Sequence, residues 1–424
     1  MNVKINKSEL RGRVCVPLSK SVAHRLMIAA ALAGAKDLCV SGGDDIAATA
    51  RCLKTISESV RRANCLSRTE CGACADTEQN TNGLPHINAG ESGSTLRFLL
   101  PIVCALGLNC VFEGAGRLAQ RPLGGLIKTL EAHGCRFEKL TDLQLPLKVS
   151  GKLVAGNFEI EGNVSSQYIT GLLFALPLLD GDSTICVRGE SVSVNYIDIT
   201  LGVLADRGIE IARTADGYFV KGNQKFSVAE NAEVEGDWSS AGFMIALGVL
   251  TGETRIGGLR SDSLQGDKAV VELLRRANAD IEFVGEEVVA RKSCLKAIDF
   301  DARDCPDAVP IMAVALSFAD GVSHISHVDR LRDKESDRLG AVREMLADFG
   351  IRTEYGDDML VVYGGRHKAC KTQGFCDHRM AMSAMVCALN TDGESEVSQI
   401  GCISKSYPNF VEHVRALGAD IEEI

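Results

Sequence analysis

The stretches Leu204-Ala-Asp-Arg-Gly208-Ile-Glu-Ile211 and Leu346-Ala-Asp-Phe-Gly350-Ile-Arg-Thr353 decide the fold, because each joins the end of a helix to a strand through one glycine. Glycine suits that joint because a helix commonly ends on a residue in the left-handed conformation, which glycine adopts without steric cost. The pattern recurs with its pivot at Gly134, Asn278 and Gly418, so successive pivots lie 74, 70, 72 and 68 residues apart. A nearly fixed period indicates a repeated supersecondary unit.

Six copies of this unit are predicted, the sixth and weakest near Leu53-Lys-Thr-Ile-Ser57. The pattern therefore indicates about six α/β units rather than one continuous sheet. The 424 residues exceed what one ordinary core accommodates, so we expect two domains of three units each. The polar stretch from Lys221 to Glu235 is the expected crossing between the domains.

Local patterns predict the structure of three further segments. Val3 to Val16 alternates like one strand, and an Ala-rich helix through Ala33 follows, with Ser19 or Ser21 as its cap. The stretch from Ser59 to His86 is polar and poorly periodic, which is typical of an irregular hairpin or a surface excursion.

Charge and hydropathy exclude several classes of partner. The net charge of −10 disfavours nucleic acid as a partner. No run reaches the roughly 18 apolar residues that span a membrane. The first residues, Met1-Asn-Val-Lys-Ile-Asn-Lys7, lack the apolar core of a signal peptide. We expect a cytoplasmic protein that binds neither membranes nor nucleic acid.

The sixteen cysteines are scattered, mostly within apolar stretches. In a cytoplasmic protein they should be reduced thiols that pack as small hydrophobic side chains. Cys71-Gly-Ala-Cys74 is a single CxxC pair without a second pair at zinc-ribbon spacing, so no metal site is predicted there.

Three turns in the first half of the chain place small or hydroxyl residues before a predicted helix. They are Pro17-Leu-Ser-Lys20-Ser21-Val-Ala-His-Arg25, Asn88-Ala-Gly-Glu-Ser-Gly93-Ser-Thr-Leu-Arg97 and Gly162-Asn-Val-Ser165-Ser166-Gln167-Tyr168. Helix N-termini hold anions through unpaired N–H groups and the helix dipole. One such turn is usually only a cap. Several in comparable positions of successive repeats predict a cleft for a substrate with several phosphates or carboxylates.

The second half of the chain adds charges of both signs before predicted helices. Lys334 and Arg338 are predicted to share one helical face, with Glu335 beside them. Asp307 and Arg379 each stand before an apolar helix, and the series ends with Lys405 in Ser404-Lys405-Ser-Tyr-Pro-Asn409. Two interpretations stay open, namely salt-bridged, capped helix starts, or cations and a base in an anion-filled cleft.

No motif for a nucleotide or for a serine nucleophile is present. The sequence contains no GxxxxGK[ST], no GxGxxG after a strand and no GxSxG. The predicted chemistry therefore needs no cofactor and no metal, and rests on general acid–base steps and electrostatic stabilisation.

These passages, in this order, resemble the EPSP (5-enolpyruvylshikimate-3-phosphate) synthase family from about Leu10 to about His413. The matching passages are Leu18–Arg25, Ser92–Arg97, Gln120–Pro122, Val164–Gln167, Ser193–Asp198, Glu235–Asp237, Pro306–Ala308, Lys334–Arg338, Asp377–Met382 and Lys405–Pro408.

The resemblance implies an α/β enolpyruvyl transferase fold of two domains, each with three βαβαββ units around buried helices, an inside-out α/β barrel. The expected domains are 18–234, on the shikimate 3-phosphate side, and 1–17 plus 235–424, on the phosphoenolpyruvate side, with the active site in the cleft between them. The implied reaction transfers the enolpyruvyl group of phosphoenolpyruvate to the 5-hydroxyl of shikimate 3-phosphate, on the way to chorismate and the aromatic amino acids. A monomer is expected.

The resemblance also implies residue roles. Asp307 would take the hydroxyl proton, and Glu335 or Lys20 would transfer the proton at the methylene carbon. Shikimate 3-phosphate would contact Lys20, Ser21, Arg25, Ser165, Ser166, Gln167, Ser193, Tyr196, Asp307, Arg330 and Lys334. Phosphoenolpyruvate would contact Lys20, Gly93, Arg121, Gln167, Arg338, Arg379 and Lys405. Arg97 is expected either to bind or to hold its loop in place.

Three positions depart from many members of the family. Glu91 adds a negative charge near the expected phosphoenolpyruvate site, Phe98 stands where some members have proline, and Arg330 stands where others have asparagine. The activity is expected to survive, with altered substrate affinities. Gly93 leaves room for glyphosate, the inhibitor of this family, so inhibition is expected.

Three alternatives were weighed against this interpretation. UDP-N-acetylglucosamine enolpyruvyl transferase shares the fold and the donor, but carries Lys-Asn where this chain has Lys20-Ser21 and a reactive cysteine near the position of Arg121. RNA 3′-phosphate cyclase shares the repeat unit without these motifs. A catalytically inactive anion-binding homologue would not need Asp307 and Glu335 together with Lys20.

Overall fold

The computed structural model describes residues 1–35, 42–66, 83–190, 192–228 and 233–424. The α-helices of these ranges are α1 (Lys20–Leu32), α2 (Asp44–Leu66), α3 (Gly93–Leu106), α4 (Gly124–Glu131), α5 (Ser166–Ala175), α6 (Val194–Ala205), α7 (Trp238–Thr251), α8 (Ala269–Arg276), α9 (Val309–Ser317), α10 (Arg338–Asp348), α11 (His378–Leu389) and α12 (Phe410–Ala416). None of these helices is long and apolar enough to cross a lipid bilayer.

The strands of the same ranges are β1 (Val3–Asn6), β2 (Arg11–Cys15), β3 (His86–Asn88), β4 (Cys110–Glu113), β5 (Cys135–Lys139), β6 (Leu147–Gly151), β7 (Asn157–Glu161), β8 (Ser183–Arg188), β9 (Ile211–Thr214), β10 (Gly217–Val220), β11 (Glu253–Gly257), β12 (Asp280–Val284), β13 (Glu287–Arg291), β14 (Phe300–Asp301), β15 (Val322–Ser326), β16 (Thr353–Gly356), β17 (Met359–Tyr363), β18 (Lys371–Gln373), β19 (Glu394–Ser398) and β20 (Asp420–Glu423).

Internal contacts divide the chain into two compact units. The terminal unit comprises Met1–Val22, Gly42–Asp44 and Glu233–Ile424, and the inserted unit comprises Ala23–Ser41 and Asp45–Ala232. The sequence prediction placed the corresponding bounds at 1–17 plus 235–424 and at 18–234. The predicted crossing from Lys221 to Glu235 contains the later boundary, although its residues 229–232 lie outside the described ranges.

Within the described ranges, five four-stranded sheets share one topology. In the order β3-β4-β6-β5, the first two strands are parallel and the other neighbours are antiparallel. The orders β7-β8-β10-β9, β2-β11-β13-β12 and β14-β15-β17-β16 repeat it. The sheets that begin with β3, β7 and β14 are uninterrupted βαβαββ units, because a helix connects the parallel pair and a second helix precedes the final hairpin. In the sheet that begins with β2, the inserted unit lies between the two parallel strands.

The fifth sheet is completed by the N-terminal strand. Its order is β18-β19-β1-β20, with β1 in the position that the last strand of the unit fills elsewhere. Val3 pairs with Val397 of β19 and with Glu423 of β20. The prediction of one strand from Val3 to Val16 is wrong, because the polar residues Lys7 to Glu9 follow β1 and the strands β1 and β2 enter different sheets.

The predicted pivots between helix and strand have left-handed backbone conformations. The φ angles are 98° at Gly134, 76° at Gly208, 72° at Asn278, 81° at Gly350 and 107° at Gly418. Each pivot ends a helix and turns the chain directly into a strand, as the sequence pattern predicts. These five copies are confirmed.

The sixth predicted copy, near Leu53–Ser57, is wrong. These residues lie inside α2, which continues to Leu66, and the pivot position holds Ser57 rather than a glycine that would permit a left-handed turn. The irregular excursion predicted from Ser59 to His86 is wrong at its start, which is helical, and at its end, where β3 begins. Residues 67–82, including Cys71 and Cys74, lie outside the described ranges.

Replacing the pivot Gly134 with alanine is expected to lower the free energy of unfolding. Its φ is 98°, and an added Cβ would lie 2.9 Å from the carbonyl oxygen of Lys152. We expect a loss of about 1–2 kcal/mol from the left-handed backbone alone. Gly202→Ala is the matched control, because nothing lies within 4 Å of its Cβ position in α6 and alanine favours helix by up to about 1 kcal/mol. Equal losses in the two variants in urea titrations would contradict the pivot assignment.

Apolar helices form the centre of each unit. In the terminal unit α7, α9 and α11 pack against one another, and nearly all of their residues are buried. In the inserted unit α3 packs against α5 and α5 against α6. Helices that are apolar on all sides belong in a core, so the sheets lie outside them. The helix starts that carry the predicted site residues are thereby fixed by packing.

Candidate functional site

Aspartates begin three helices of the terminal unit. An oxygen of Asp237 accepts a hydrogen bond from the Ser240 amide at 2.7 Å, at the start of α7. Asp337 caps α10 in the same way, and Asp377 caps α11 through the Arg379 amide at 3.0 Å. Each carboxylate satisfies an unpaired N–H group and complements the positive end of the helix dipole.

Lys20 is anchored to the first of these caps. It begins α1, and its amide donates to Oδ2 of Asp237 at 3.3 Å. Ser19 rather than Ser21 caps α1, because the Val22 amide donates to Ser19 Oγ at 3.5 Å. Ser21 therefore stands in the first turn of α1 directly after Lys20.

Three cations surround the carboxylate of Asp307. Its Oδ1 accepts from Lys334 Nζ at 3.1 Å and from Arg338 Nη1 at 2.7 Å, while its Oδ2 lies 3.1 Å from Arg379 Nη2. Asp307 lies in the short 3₁₀ turn Pro306–Ala308, immediately before α9, and its side chain does not cap that helix. Three predicted binding residues and the predicted base thus form one ion cluster.

Arg338 connects this cluster to two further carboxylates. Its Nη2 donates to Glu335 at 2.5 Å and its Nε to Asp377 at 2.7 Å. Asp377 also accepts from Ser336 Oγ at 3.0 Å. Because the Arg338 side chain is only 1% exposed, its charge depends on these three acids.

The prediction that Lys334 and Arg338 share a helical face is wrong. Residues Asp329–Asp333 form a 3₁₀ turn, Lys334 has extended backbone angles, and α10 begins only at Arg338 because Asp337 caps it. The two cations nevertheless meet at Asp307, because the loop folds back over the turn that carries it.

The ion cluster sets the protonation of its members. Burial alone would raise the pKa of Asp307, but Arg379, Lys334 and Arg338 outweigh it and hold the pKa well below its ordinary value of 3.8. Burial lowers the pKa of Lys334, and Asp307 partly offsets that effect. In this arrangement Asp307 is an anion that binds a proton only weakly.

Two other predicted cations lie in the same unit. Arg330 donates to the carbonyl oxygen of Arg303 at 3.3 Å, and burial lowers its pKa while Asp307 opposes that shift. Lys405 donates from Nζ to the carbonyl oxygen of Cys376 at 3.2 Å, at the residue before the Asp377 cap. Both cations therefore belong to the neighbourhood of α9 and α11.

In the inserted unit, Arg97 and Gln167 join the starts of α3 and α5. Arg97 Nη1 donates to Gln167 Oε1 at 2.7 Å, and Nη2 donates to the carbonyl oxygen of Pro122 at 3.1 Å. Gln167 in turn donates to Ser94 Oγ at 2.9 Å. Arg97 thus has the loop-holding contacts that were one of its two expected roles.

Gly93 lies against the guanidinium group of Arg121. A Cβ atom at Gly93 would be 2.8 Å from Nη1 of Arg121 and 3.1 Å from its Cζ. Contacts below 3.0 Å force one partner to move, and Arg121 is itself buried. The absence of a side chain at residue 93 therefore permits the Arg121 guanidinium to lie this close to the backbone.

Arg25 is a buried cation held by neutral oxygens. Its Nε donates to Thr200 Oγ1 at 2.8 Å, and its Nη2 to the carbonyl oxygen of Tyr196 at 2.9 Å and to Thr170 Oγ1 at 3.5 Å. Its guanidinium lies 5.0 Å from the centre of the Phe98 ring. Burial lowers the pKa of Arg25 to about 10, which an added anion would reverse.

The remaining predicted residues stand at helix starts of the inserted unit. Ser165 caps α5, and its Oγ accepts the Gln167 amide at 3.3 Å. Ser166 is the first residue of α5 and is buried. Ser193 precedes α6 with a left-handed φ of 55°, and Tyr196 lies in the first turn of that helix. The predicted helix start in the passage from Gly162 to Tyr168 is confirmed.

Several residues that contact the ion cluster around Asp307 or the Arg25 guanidinium were not predicted as site residues. Asp377 was part of a matching passage, and an acidic cap before an apolar helix is a recognisable signal. Thr170 and Thr200 lie inside helices, where sequence offers no signal for contact with Arg25. No group of three or more His, Cys, Asp or Glu residues in the described ranges is arranged to hold a metal ion.

The sequence is similar to known proteins over nearly its whole length. Residues 5–414 match the family described as EPSP synthase (3-phosphoshikimate 1-carboxyvinyltransferase). A 3-phosphoshikimate 1-carboxyvinyltransferase of Clostridium acetobutylicum is 35% identical over 99% of this chain and 98% of its own length. One of Brachyspira hyodysenteriae is 34% identical over 99% and 100%.

Solved structures show the same fold. EPSP synthase from Acinetobacter baumannii has a TM-score of 0.74 at 21% identity and covers 100% of both chains. The enolpyruvyl transferase NikO from Streptomyces tendae has a TM-score of 0.73 at 19% identity and covers 99% of this chain and 98% of its own. The predicted fold class is confirmed.

Proposed function

Because the chain belongs to the EPSP synthase family, the 3-phosphoshikimate 1-carboxyvinyltransferases, we propose that it uses the ion cluster around Asp307 to transfer the enolpyruvyl group of phosphoenolpyruvate. The acceptor is the 5-hydroxyl of shikimate 3-phosphate, and the products are 5-enolpyruvylshikimate 3-phosphate and phosphate. This is a step of the shikimate pathway to chorismate and the aromatic amino acids. The observation that carries the proposal is the ion cluster around Asp307, within a chain that matches the family from residue 5 to residue 414.

The reaction proceeds by addition and elimination. The 5-oxygen bonds to C2 of phosphoenolpyruvate while the hydroxyl loses its proton and the methylene carbon gains one, giving a tetrahedral intermediate. The intermediate then loses a proton from the new methyl group and expels phosphate. Asp307 receives the hydroxyl proton, and Glu335 or Lys20 serves the methylene carbon. A positioned acid or base contributes about 10²–10⁴ to such a step.

The cations of both units bind the anionic substrates. Phosphoenolpyruvate contacts Lys20, Gly93, Arg121, Gln167, Arg338, Arg379 and Lys405. Shikimate 3-phosphate contacts Lys20, Ser21, Arg25, Ser165, Ser166, Gln167, Ser193, Tyr196, Asp307, Arg330 and Lys334. Arginine supports this assignment because its planar fork binds phosphate and carboxylate through two parallel hydrogen bonds. No step requires a metal or an organic cofactor.

Substrate binding must change the surroundings of Asp307 before it acts as a base. Lys334, Arg338 and Arg379 hold its pKa well below 3.8, so it is a weak base in this arrangement. Phosphate and carboxylate groups compete for the same cations. When they draw these cations away, the pKa of Asp307 rises and proton transfer becomes feasible.

Gly93→Ala is expected to raise KM for phosphoenolpyruvate about tenfold, with a smaller effect on kcat. The added methyl group would stand 2.8 Å from Arg121 Nη1 and displace this guanidinium, and the loss of one charge-assisted hydrogen bond corresponds to about 1.5–3 kcal/mol. Glyphosate inhibition should weaken as well. Gly124→Ala, where nothing lies within 4 Å of the Cβ position, is the matched control. An unchanged KM in both variants would remove Arg121 from the binding site.

Phosphate release from purified protein tests the function directly. We expect release when phosphoenolpyruvate and shikimate 3-phosphate are both present, and none with either substrate alone. Replacement of the acceptor by UDP-N-acetylglucosamine should give no release. The proposed reaction is wrong if phosphate release requires UDP-N-acetylglucosamine. It is also wrong if no phosphate is released with either acceptor.

We further propose that the protein acts as a cytoplasmic monomer. The net charge of −10 supports solubility. Sedimentation equilibrium is expected to give the mass of one 45.3 kDa chain. A dimer mass at micromolar concentration would contradict the monomer.

A further inference from the structure

Asp267 is a buried carboxyl group to which the family resemblance gave no role. It lies in the short turn Gly266–Lys268 and is fully buried. Its Oδ2 accepts a hydrogen bond from Ser239 Oγ in the first turn of α7, whereas its Oδ1 has no hydrogen-bond partner among the described residues. Buried polar atoms are normally paired, so an unpaired carboxylate oxygen requires an explanation.

The complementary unpaired atom belongs to Arg379. Its Nε is buried and has no partner within the described part of the chain, although its terminal nitrogens Nη1 and Nη2 both contact Asp307. Burial lowers the pKa of Arg379, but Asp307, Asp267 and Asp237 together raise it above its ordinary value. An unpaired donor and an unpaired acceptor therefore lie within electrostatic reach of each other, since Asp267 and Arg379 each affect the titration of the other.

The neighbouring carboxylates leave Asp267 as the available acceptor. Both oxygens of Asp237 already accept backbone amides, those of Lys20 and Ser240. The turn that carries Asp267 also packs directly against the turn that carries Asp307, and both carboxyls act electrostatically on Arg379.

We propose that Asp267 is a positioning residue for Arg379, which accepts a hydrogen bond from Nε when an anionic substrate draws the terminal nitrogens away from Asp307. This inference rests on the proposed function, because the anion is the phosphate or carboxylate of phosphoenolpyruvate. It gives Arg379 a second anchor, so that the guanidinium can bind the substrate without losing all protein contacts. Asp307 then loses one of its three cations, as its role as a base requires.

The protonation of Asp267 supports this role. Burial raises the pKa of Asp267 to about 6, with Asp307 and Asp237 adding to the effect and Arg379 and Ser239 opposing it. The carboxylate is therefore present at neutral pH and is lost as the pH falls below about 6. We expect kcat/KM for phosphoenolpyruvate in the wild-type chain to decrease as the pH is lowered through about 6. In Asp267→Asn, the part of this decrease that comes from protonation of residue 267 should be absent.

Asp267→Asn is the informative variant, because it keeps the shape and can still accept from Ser239 but carries no charge. At pH 7.5 we expect KM for phosphoenolpyruvate to rise at least tenfold and KM for shikimate 3-phosphate to change less than threefold. Asp262→Asn, which removes an exposed carboxylate in the preceding loop, is the matched control and should leave both constants unchanged. Thermal unfolding of Asp267→Asn should stay within a few degrees of wild type, because the variant removes a buried charge rather than a packed side chain.

A double-mutant cycle with Arg379→Lys separates positioning from a structural role. Lysine lacks the Nε–H group of arginine. In the Arg379→Lys background, Asp267→Asn should therefore raise KM for phosphoenolpyruvate less than threefold. If Asp267→Asn raises KM for phosphoenolpyruvate by the same factor with Arg379 and with Lys at residue 379, the proposal is wrong. It is also wrong if Asp267→Asn alone leaves this KM unchanged. Calorimetric binding of phosphoenolpyruvate to the variants without acceptor gives a second readout. It does not require turnover, so a failure of the proposed reaction would not be mistaken for a failure of this inference.

Discussion

Asp307→Ala is expected to lower kcat by at least about a hundredfold while substrate binding is retained, because a positioned base contributes about 10²–10⁴ to proton transfer. The loss should appear in both kcat and kcat/KM for the acceptor. Single-turnover kinetics, with enzyme in excess over substrate, would show whether the addition step itself is slowed. Asp307→Asn should lose a similar factor, since the amide cannot take the hydroxyl proton.

The control for this prediction is Asp320→Asn, which changes an exposed aspartate just beyond the far end of α9. It should leave kcat within twofold of wild type. Binding of both substrates to Asp307→Ala can be measured by calorimetry, and is expected to be retained because three cations remain. Wild-type turnover in Asp307→Ala would remove this carboxylate from the mechanism.

Arg338→Met is expected to lower the free energy of unfolding by about 3–5 kcal/mol, the usual cost of removing one partner from a buried ion pair. Arg338 is 1% exposed, and its removal leaves Asp307, Glu335 and Asp377 without a shared cation. Methionine fills a similar volume, so the loss measured in guanidinium titrations reports the charge more than the packing. Turnover should be lost as well.

The matched control is Arg352→Met, which removes an arginine that is 69% exposed and pairs with Glu354. Exposed pairs contribute about 0–1 kcal/mol, so this variant should unfold close to wild type. Raising the salt concentration should diminish the small loss of unfolding free energy in Arg352→Met but not the large loss in Arg338→Met. A loss below about 1 kcal/mol at Arg338 would mean that the three acids are protonated or hydrated in its absence.

The sequence predicts the helix–pivot–strand repeat because its physical cause is local. A glycine or asparagine at Gly134, Gly208 or Asn278 permits the left-handed turn, and the residues on either side carry the periodicity of helix and strand. The misassigned copy near Leu53–Ser57 lacks such a residue. The pairing of β1 with β19 and β20 depends on contacts across almost the whole chain, which no local pattern contains.

The candidate site was predictable to a similar extent. Cations and hydroxyls before apolar helices indicate an anion site, since the helix start supplies part of the chemistry. The partners of each cation were not predictable: Lys334 reaches Asp307 through a loop rather than a helix, and Arg338 is surrounded by acids from three separate segments. The unpaired oxygen of Asp267 becomes visible only when every neighbouring atom is placed.

The strand β1 has a consequence for how the protein is made. The ribosome synthesises Val3–Asn6 long before its partners Glu394–Ser398 and Asp420–Glu423, so the sheet that contains all three strands cannot close until the last of them has been made. The inserted unit contains the residues in between and can fold while the chain is still growing. In the nascent chain, the unpaired strand β1 is an exposed edge, the kind of structure through which chains pair with one another and aggregate.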